Sequence, residues 1–288
     1  MKGIILMAHG TPESLDQMPE YLARVRGGRP PSPELIEEMT RNYAAIGGRS
    51  PLTDITLAQA AALQDALGPG VIVRAGMRHW RPFIADAVGE VVARGATEIV
   101  GIPLAPQFST VTVAKYGDAL REAAPAGVAV RSVGSWHDHP GLIAAFAEKL
   151  RAARPGPGDA VLFTAHALPV RLIEGGDPYE GEVRATAAAV AAAAGLDGYD
   201  VAFQSAGRTP EPWIGPTVEE ALGSLRERGV SSVIAAPIGF VSDHTEVLFD
   251  IDVQAAREAE RLGLRFRRTE SLNTSPTFIA ALSDLARA

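Results

Sequence analysis

The chain has 288 residues, with 34 acidic against 27 basic side chains and a formal net charge of −7, and it carries no long basic run, which argues against a nucleic-acid partner. It has no cysteine, so disulfides, thiolate metal sites, cysteine-ligated iron–sulfur clusters and a cysteine nucleophile are all excluded. No apolar stretch approaches the roughly 20 residues that span a bilayer. The N-terminal run GIILMA is too short for a signal-peptide core, and the expectation is a cytoplasmic protein of one or two domains.

In chain order, KGIILMA reads as a buried strand that runs into His9 and a Gly-Thr-Pro turn. YLARVRGGRPPSPELIEEM opens as a helix with Arg24, Arg26 and Arg29, which are either solvated or able to grip ligand carboxylates in a bidentate fork. AIGGRSPL, 45–52, is a glycine-rich loop without the Lys-Ser/Thr ending of a phosphate loop. No G-x-G-x-x-G follows a strand, so no nucleotide cofactor is expected. VIVRAG (71–76) is a strand, 83–95 a helix stopped by Gly95, EIVGIPLAP and VAVRSVGSW are further strands, and 140–153 is a helix with Pro140 near its start. RPGPGD, 154–159, reads as a linker. Strands are expected again at 160–165, 200–205 and 232–238, with helices between them. The alanine-rich run 185–194 is expected to be a surface or packing helix.

This alternation predicts an α/β fold with parallel sheets covered on both faces. The linker divides the chain into 1–153 and 154–288, and each half opens with an apolar strand ending in Ala-His: KGIILMAH and DAVLFTAH. Ligands of open α/β sheets bind beyond the carboxyl ends of the strands. His9 and His166 are therefore the two of six histidines expected to face a crevice; the others are His79, His137, His139 and His244.

APIGFVSDHTEVLFDID, 235–252, adds a second signal. Glu246 and Asp250 are four apart and share one face if this segment is helical. They are either a solvated face or, since Val241, Val247, Leu248 and Phe249 would bury the segment, a carboxylate pair that repels and needs a cation, a proton or a partner. His166 with Glu246 would make an open imidazole–carboxylate site, suited to a divalent metal or to proton transfer. QSAGRTPEPWIGP, 204–216, is either a rigid connector or a wall for a flat ligand.

The ordered motifs HGTPESLDQMPEYLARVRGGRPPSPELIEEM, YAAIGGRSPLTDIT, GMRHWRPFIADAV, LAPQFSTVTVAKY, SWHDHP, AHALP, GDPYEGEV, QSAGRTPEPWIGP and PIGFVSDHTEVLFDID resemble the ferrochelatase family, in particular its short bacterial members that metallate coproporphyrin III. The resemblance covers nearly the whole chain. It implies two similar doubly wound, Rossmann- or flavodoxin-like chelatase domains with a porphyrin cleft between them, and a last helix packed back on the first domain. It implies His166 and Glu246 as catalytic, metal-handling residues with Asp250 one turn on, and Arg26, Tyr43, Ser50 and Tyr116 as porphyrin contacts. His9 stands where the most similar members carry a tyrosine that can ligate product iron, and histidine is also an axial haem ligand. Asn42 and Gly27 replace family arginines, which leaves the choice between coproporphyrin III and protoporphyrin IX open.

The expected substrates are a porphyrin and ferrous iron, with no organic cofactor and no iron–sulfur cluster. The expected protein is a monomer, with transient iron-delivering or haem-receiving partners. His166 is expected to be neutral near pH 7, ready to accept a pyrrole proton or deliver iron. Two alternatives are a cobalt chelatase of another tetrapyrrole and a non-catalytic haem or porphyrin carrier.

Overall fold

In the computed structural model, residues 1–207 and 209–288 are described. Arg208, within the 204–216 motif, lies outside the described residues. Among the described residues, eight strands form two four-stranded, all-parallel sheets. The first contains β1 (Lys2–Ala8), β2 (Val71–Met77), β3 (Glu98–Pro103) and β4 (Ala129–Ser132), in the order β2-β1-β3-β4. The second contains β5 (Asp159–His166), β6 (Asp200–Gln204), β7 (Ser232–Pro237) and β8 (Arg265–Arg268), in the order β6-β5-β7-β8. The two sheets thus repeat one topology.

β1 and β5 each have a strand on either side and helices on both faces. Their sequences are accordingly continuous apolar runs rather than alternating ones. Ile4, Ile5, Leu6 and Met7 are fully buried, as are Leu162 and Phe163. Each such side chain contributes roughly 1.5–3 kcal/mol of burial free energy, so these two strands are fixed points from which the site is hung. His9 follows the last residue of β1, and His166 is the last residue of β5.

Several elements differ from expectation. The strand read into VAVRSVGSW spans only Ala129–Ser132. Val133 still donates its N–H to Gly101, but the chain then turns so that the Trp136 indole can donate to the Pro103 carbonyl at 3.0 Å. The alanine run is, as expected, part of a packing helix, Tyr179–Ala194, whose Val183, Ala187, Val190 and Ala191 join the core. The segment with Glu246 and Asp250 is not one regular helix. A short α-helix, Thr245–Leu248, gives way to a π-helical stretch, Asp250–Ala255, and then to α-helix Ala256–Arg261. The Gln254 N–H reaches back five residues to the Phe249 carbonyl at 2.8 Å, the pattern of a π-bulge, which recurs at functional sites.

One core runs through both sheets, with Ile4, Leu6 and Val100 in the same cluster as Val161, Phe163 and Ile234. Polar contacts also join the halves. The loop after β3 donates from Phe108 N to Glu182 (2.6 Å), and from Ser109 Oγ and Thr110 N to Asp177 (3.0 and 2.7 Å). The last helix, Pro276–Arg287, packs against helices Leu52–Leu67 and Pro140–Ala152. Among the described residues, no helix is long and apolar enough to cross a membrane.

Candidate active site at the strand ends

His166 is placed by β5 and fixed by its own backbone. Its Nδ1 donates to the Ala167 carbonyl at 2.5 Å. A carbonyl only accepts, so Nδ1 carries a hydrogen and Nε2 is left to face the cleft. The turn after β7 passes close by. A Cβ on Gly239 would lie 2.7 Å from Ala165 Cβ and 2.8 Å from Ala165 Cα, so only glycine lets the two strand ends approach here.

Nε2 of His166 lies 3.6 Å from Glu246 Oε1. The other carboxylate oxygen, Oε2, lies 3.4 Å from Nε2 of His244, whose Nδ1 bonds the Ser242 carbonyl at 3.1 Å. Two imidazoles, each oriented by a backbone carbonyl, therefore converge on one carboxylate. Position after a strand does not single out His244 among the six histidines. The available signal was His-x-Glu at the start of a helix, where an extended residue (His244 φ −160°) turns its side chain alongside that of the residue two further on. Asp250 accepts a short hydrogen bond from Ser205 Oγ, and Gln204 Nε2 donates to the Glu246 carbonyl at 2.5 Å.

Burial alone would lower the His166 pKa. The charge of Glu246, the hydrogen bond to it, the Ala167 carbonyl and Asp250 outweigh burial and raise it to about 9. Burial likewise favours the neutral acid of Glu246, but His166 and His244 hold its carboxyl well below the usual range. The expectation of a neutral His166 near pH 7 is corrected accordingly: without metal the pair is imidazolium and carboxylate. Asp250 is pushed up to about 7 by burial and by the Glu246 charge, against the Ser205 hydrogen bond. Among the described residues, no group of three or more His, Asp or Glu surrounds a point ready for an ion.

His9 lies at the end of β1, with its ring 4.5 Å from His79 and 6.1 Å from Tyr21, centroid to centroid. Burial lowers its pKa to about 4, with Glu246 opposing and His244, Arg78 and His166 adding to the fall. His79 falls to about 3 for the same leading reason. Both rings are neutral at pH 7, and His9 stands within electrostatic reach of both His166 and Glu246. Gly10, at φ +82°, provides the turn that follows, since a Cβ there would meet Met77 Cβ at 2.7 Å.

Of the four residues expected to touch porphyrin, only Arg26 is exposed, at the C-terminal end of helix Met18–Val25. Tyr43 is 2% exposed, and burial pushes its pKa up to about 12. Ser50 is buried at the start of helix Leu52–Leu67, accepting from Leu52 N at 3.4 Å. Tyr116 is buried with Ile5, Met7 and Leu120. Within the 204–216 motif, residues 212–214 form a backbone clasp on the loop after β5, with Val170 N donating to Pro212 O (2.9 Å) and Ile214 N to Leu168 O (2.9 Å).

A model of the ferrochelatase family matches residues 1–288. The chain belongs to the ferrochelatase family. A ferrochelatase of Deinococcus radiodurans is 42% identical, the alignment covering 98% of this chain and 94% of the relative. A coproporphyrin III ferrochelatase of Geobacillus kaustophilus is 39% identical, with 98% and 94% covered. Among solved structures, SirB from Bacillus subtilis with Fe3+ superposes at TM-score 0.64 and 14% identity, covering 99% of this chain and 94% of that one. CbiX, the terminal enzyme for biosynthesis of sirohaem in denitrifying bacteria, superposes at 0.60 and 18%, covering 99% and 98%. These two share the chelatase-type fold, whereas family membership follows from the much higher identity to ferrochelatases. This ferrochelatase is thus a metal chelatase with two parallel sheets, and haem biosynthesis is the pathway that its family implies.

Proposed function

We propose that the chain inserts ferrous iron into coproporphyrin III, with His166 and Glu246 handling metal and protons. The observation that carries this reading is the convergence of two carbonyl-oriented imidazoles on the Glu246 carboxylate at the strand ends. Iron arriving there competes with the proton on His166 Nε2. That proton passes to solvent by way of Glu246 and Asp250, and Asp250, with a pKa of about 7, exchanges protons readily near neutrality. As iron moves on to the ring nitrogens, the freed His166 and Glu246 accept the pyrrole protons that must leave. Charge and protons balance: one divalent cation enters the macrocycle as its N–H protons depart.

Support for coproporphyrin III comes from relatives of that name at 39% identity and from cations in a cavity lined in part by His79, the ring neighbour of His9. Arg78 and Phe83 line this cavity of about 470 Å³, as does Arg24, which is paired there with Glu20 at 2.9 Å. Coproporphyrin III carries more propionates than protoporphyrin IX, so it gains more from such cations. The test is anaerobic turnover of both porphyrins side by side. A higher kcat/KM for coproporphyrin III is expected, and a preference for protoporphyrin IX reverses the assignment.

His9 is proposed to meet the product iron from the face opposite His166. Neutral imidazole is a stronger-field donor than phenolate, so His9→Tyr is expected to move the Soret and ligand-field bands of bound product toward the phenolate type. His9→Ala is expected to leave turnover largely intact. Identical absorption and resonance Raman spectra in wild type and both variants would show that His9 only packs against the cleft.

A further inference from the structure

His244 and Glu246 lie immediately beyond a tight loop, residues 241–243, and their placement is set by what holds that loop. Much of the holding comes from one residue in a distant segment, Asn273. Its N–H donates to the Val241 carbonyl at 2.9 Å. Its side-chain Oδ1 accepts from Asp243 N at 2.9 Å, and its Nδ2 donates to Asp243 Oδ2 at 2.9 Å. Its carbonyl accepts from Gln59 Nε2 at 2.8 Å, and the same Gln59 nitrogen donates to Ser242 Oγ at 2.9 Å. All four polar groups of Asn273 are thus engaged. The backbone needed to do this is left-handed, with φ +45°, a region that asparagine enters more readily than most non-glycine residues.

The clamp spans both halves of the chain. Gln59 is fully buried in helix Leu52–Leu67, which packs on the first sheet. The other Asp243 oxygen accepts from Ser271 Oγ at 2.7 Å and lies 3.2 Å from Arg268, which also grips Asp252 on the π-helical stretch at 2.7 and 2.9 Å. From the clamped loop the path to the site is short. The Ser242 carbonyl orients His244 Nδ1, and His244 Nε2 in turn faces Glu246.

We infer that Asn273 is a positioning residue for metal insertion, acting through the 241–243 loop on His244 and Glu246. The inference rests on the proposed role of the His166–Glu246 site. Groups that orient metal-handling side chains from behind commonly change affinity or activity 10–100-fold when removed. The proposed porphyrin contacts are other residues than those of the clamp, so the effect should fall on kcat and on metal binding, with the porphyrin KM unchanged. A residue that merely stabilised the fold would change neither quantity per folded molecule.

Asn273→Gly is the sharpest probe. It keeps the left-handed backbone and both main-chain hydrogen bonds and removes only the bonds to Asp243. Gln59→Met breaks the clamp from the other half and provides the test should Asn273→Gly not fold. Each folded variant is expected to lose about 10–100-fold in kcat for ferrous iron and coproporphyrin III. Each is also expected to bind cobalt(II) about tenfold more weakly, read from its d–d absorption without porphyrin. Wild-type kcat and cobalt affinity in the folded variants would overturn the inference. His166→Ala is assayed in parallel. If it loses turnover while the clamp variants do not, the clamp alone is wrong; if it keeps full turnover, the site has failed and the role of Asn273 falls with it.

Discussion

His166→Ala is expected to lower ferrous-iron insertion by about 10²–10⁴-fold, the range for one acid–base group acting in a transition state, while coproporphyrin III still binds. The reasons are local. Nε2 is the only ring nitrogen of His166 free to face the cleft, because Nδ1 is committed to the Ala167 carbonyl. The side chain is partly open at 31% exposure, as a group that meets substrate must be. Alanine leaves β5 intact, since the strand pairs through its backbone and is anchored by Leu162 and Phe163 rather than by the histidine. Porphyrin binding, followed by fluorescence quenching, should therefore persist when stopped-flow insertion is lost. Normal turnover by a folded His166→Ala protein would remove His166 from the mechanism.

The legible parts of the fold were those where one physical requirement dominates a segment. β1 and β5 are buried on both faces, and their unbroken apolar runs admit little else. The break before β5 was legible because proline and glycine at 155–158 interrupt every period, although Asp159, read with that break, already begins the strand. β8, Arg265–Arg268, was not visible, because an edge strand can be arginine-rich, with Arg268 spent on Asp252 and Asp243. The π-helical stretch was hidden for another reason. A one-residue widening leaves composition and approximate periodicity unchanged, yet it shifts where Asp250 and Asp252 point. At the site, His166 and Glu246 stood out by position after strands. His244 did not, because its role depends on a loop held by Asn273 and Gln59, which lie far away in sequence. The same gap explains the wrong charge state read for His166, since spacing alone cannot show that His166 and Glu246 neutralise each other.

Glu246→Gln is expected to cut turnover by about 10²-fold or more and to leave a pH signature that identifies the cause. Glutamine keeps the size of the side chain but removes the charge that two imidazoles face at 3.6 and 3.4 Å. Repulsion between Glu246 and Asp250 alone would make this substitution stabilising. The two histidines reverse that sign, because the carboxylate has more attraction to lose than repulsion to shed. In wild type the folded pKa of His166, about 9, lies above its ordinary 6.5, so its contribution to stability is complete below pH 6.5 and disappears as pH rises through 9. The folded pKa of Glu246 is depressed, so its contribution is present above the ordinary 4.5 and lost as pH falls. Wild type should therefore exceed Glu246→Gln in thermal stability most between pH 4.5 and 6.5, with the gap closing toward pH 9. In the variant, His166 loses the charge and hydrogen bond of Glu246 and keeps only the Ala167 carbonyl and Asp250 against burial, so its pKa falls, and Asp250 keeps the burial that raises its pKa but loses the added push of the Glu246 charge. Both should titrate lower by NMR. A stability gap that does not change with pH, together with unaltered turnover per folded molecule, would show that Glu246 neither pairs with His166 nor takes part in metal insertion.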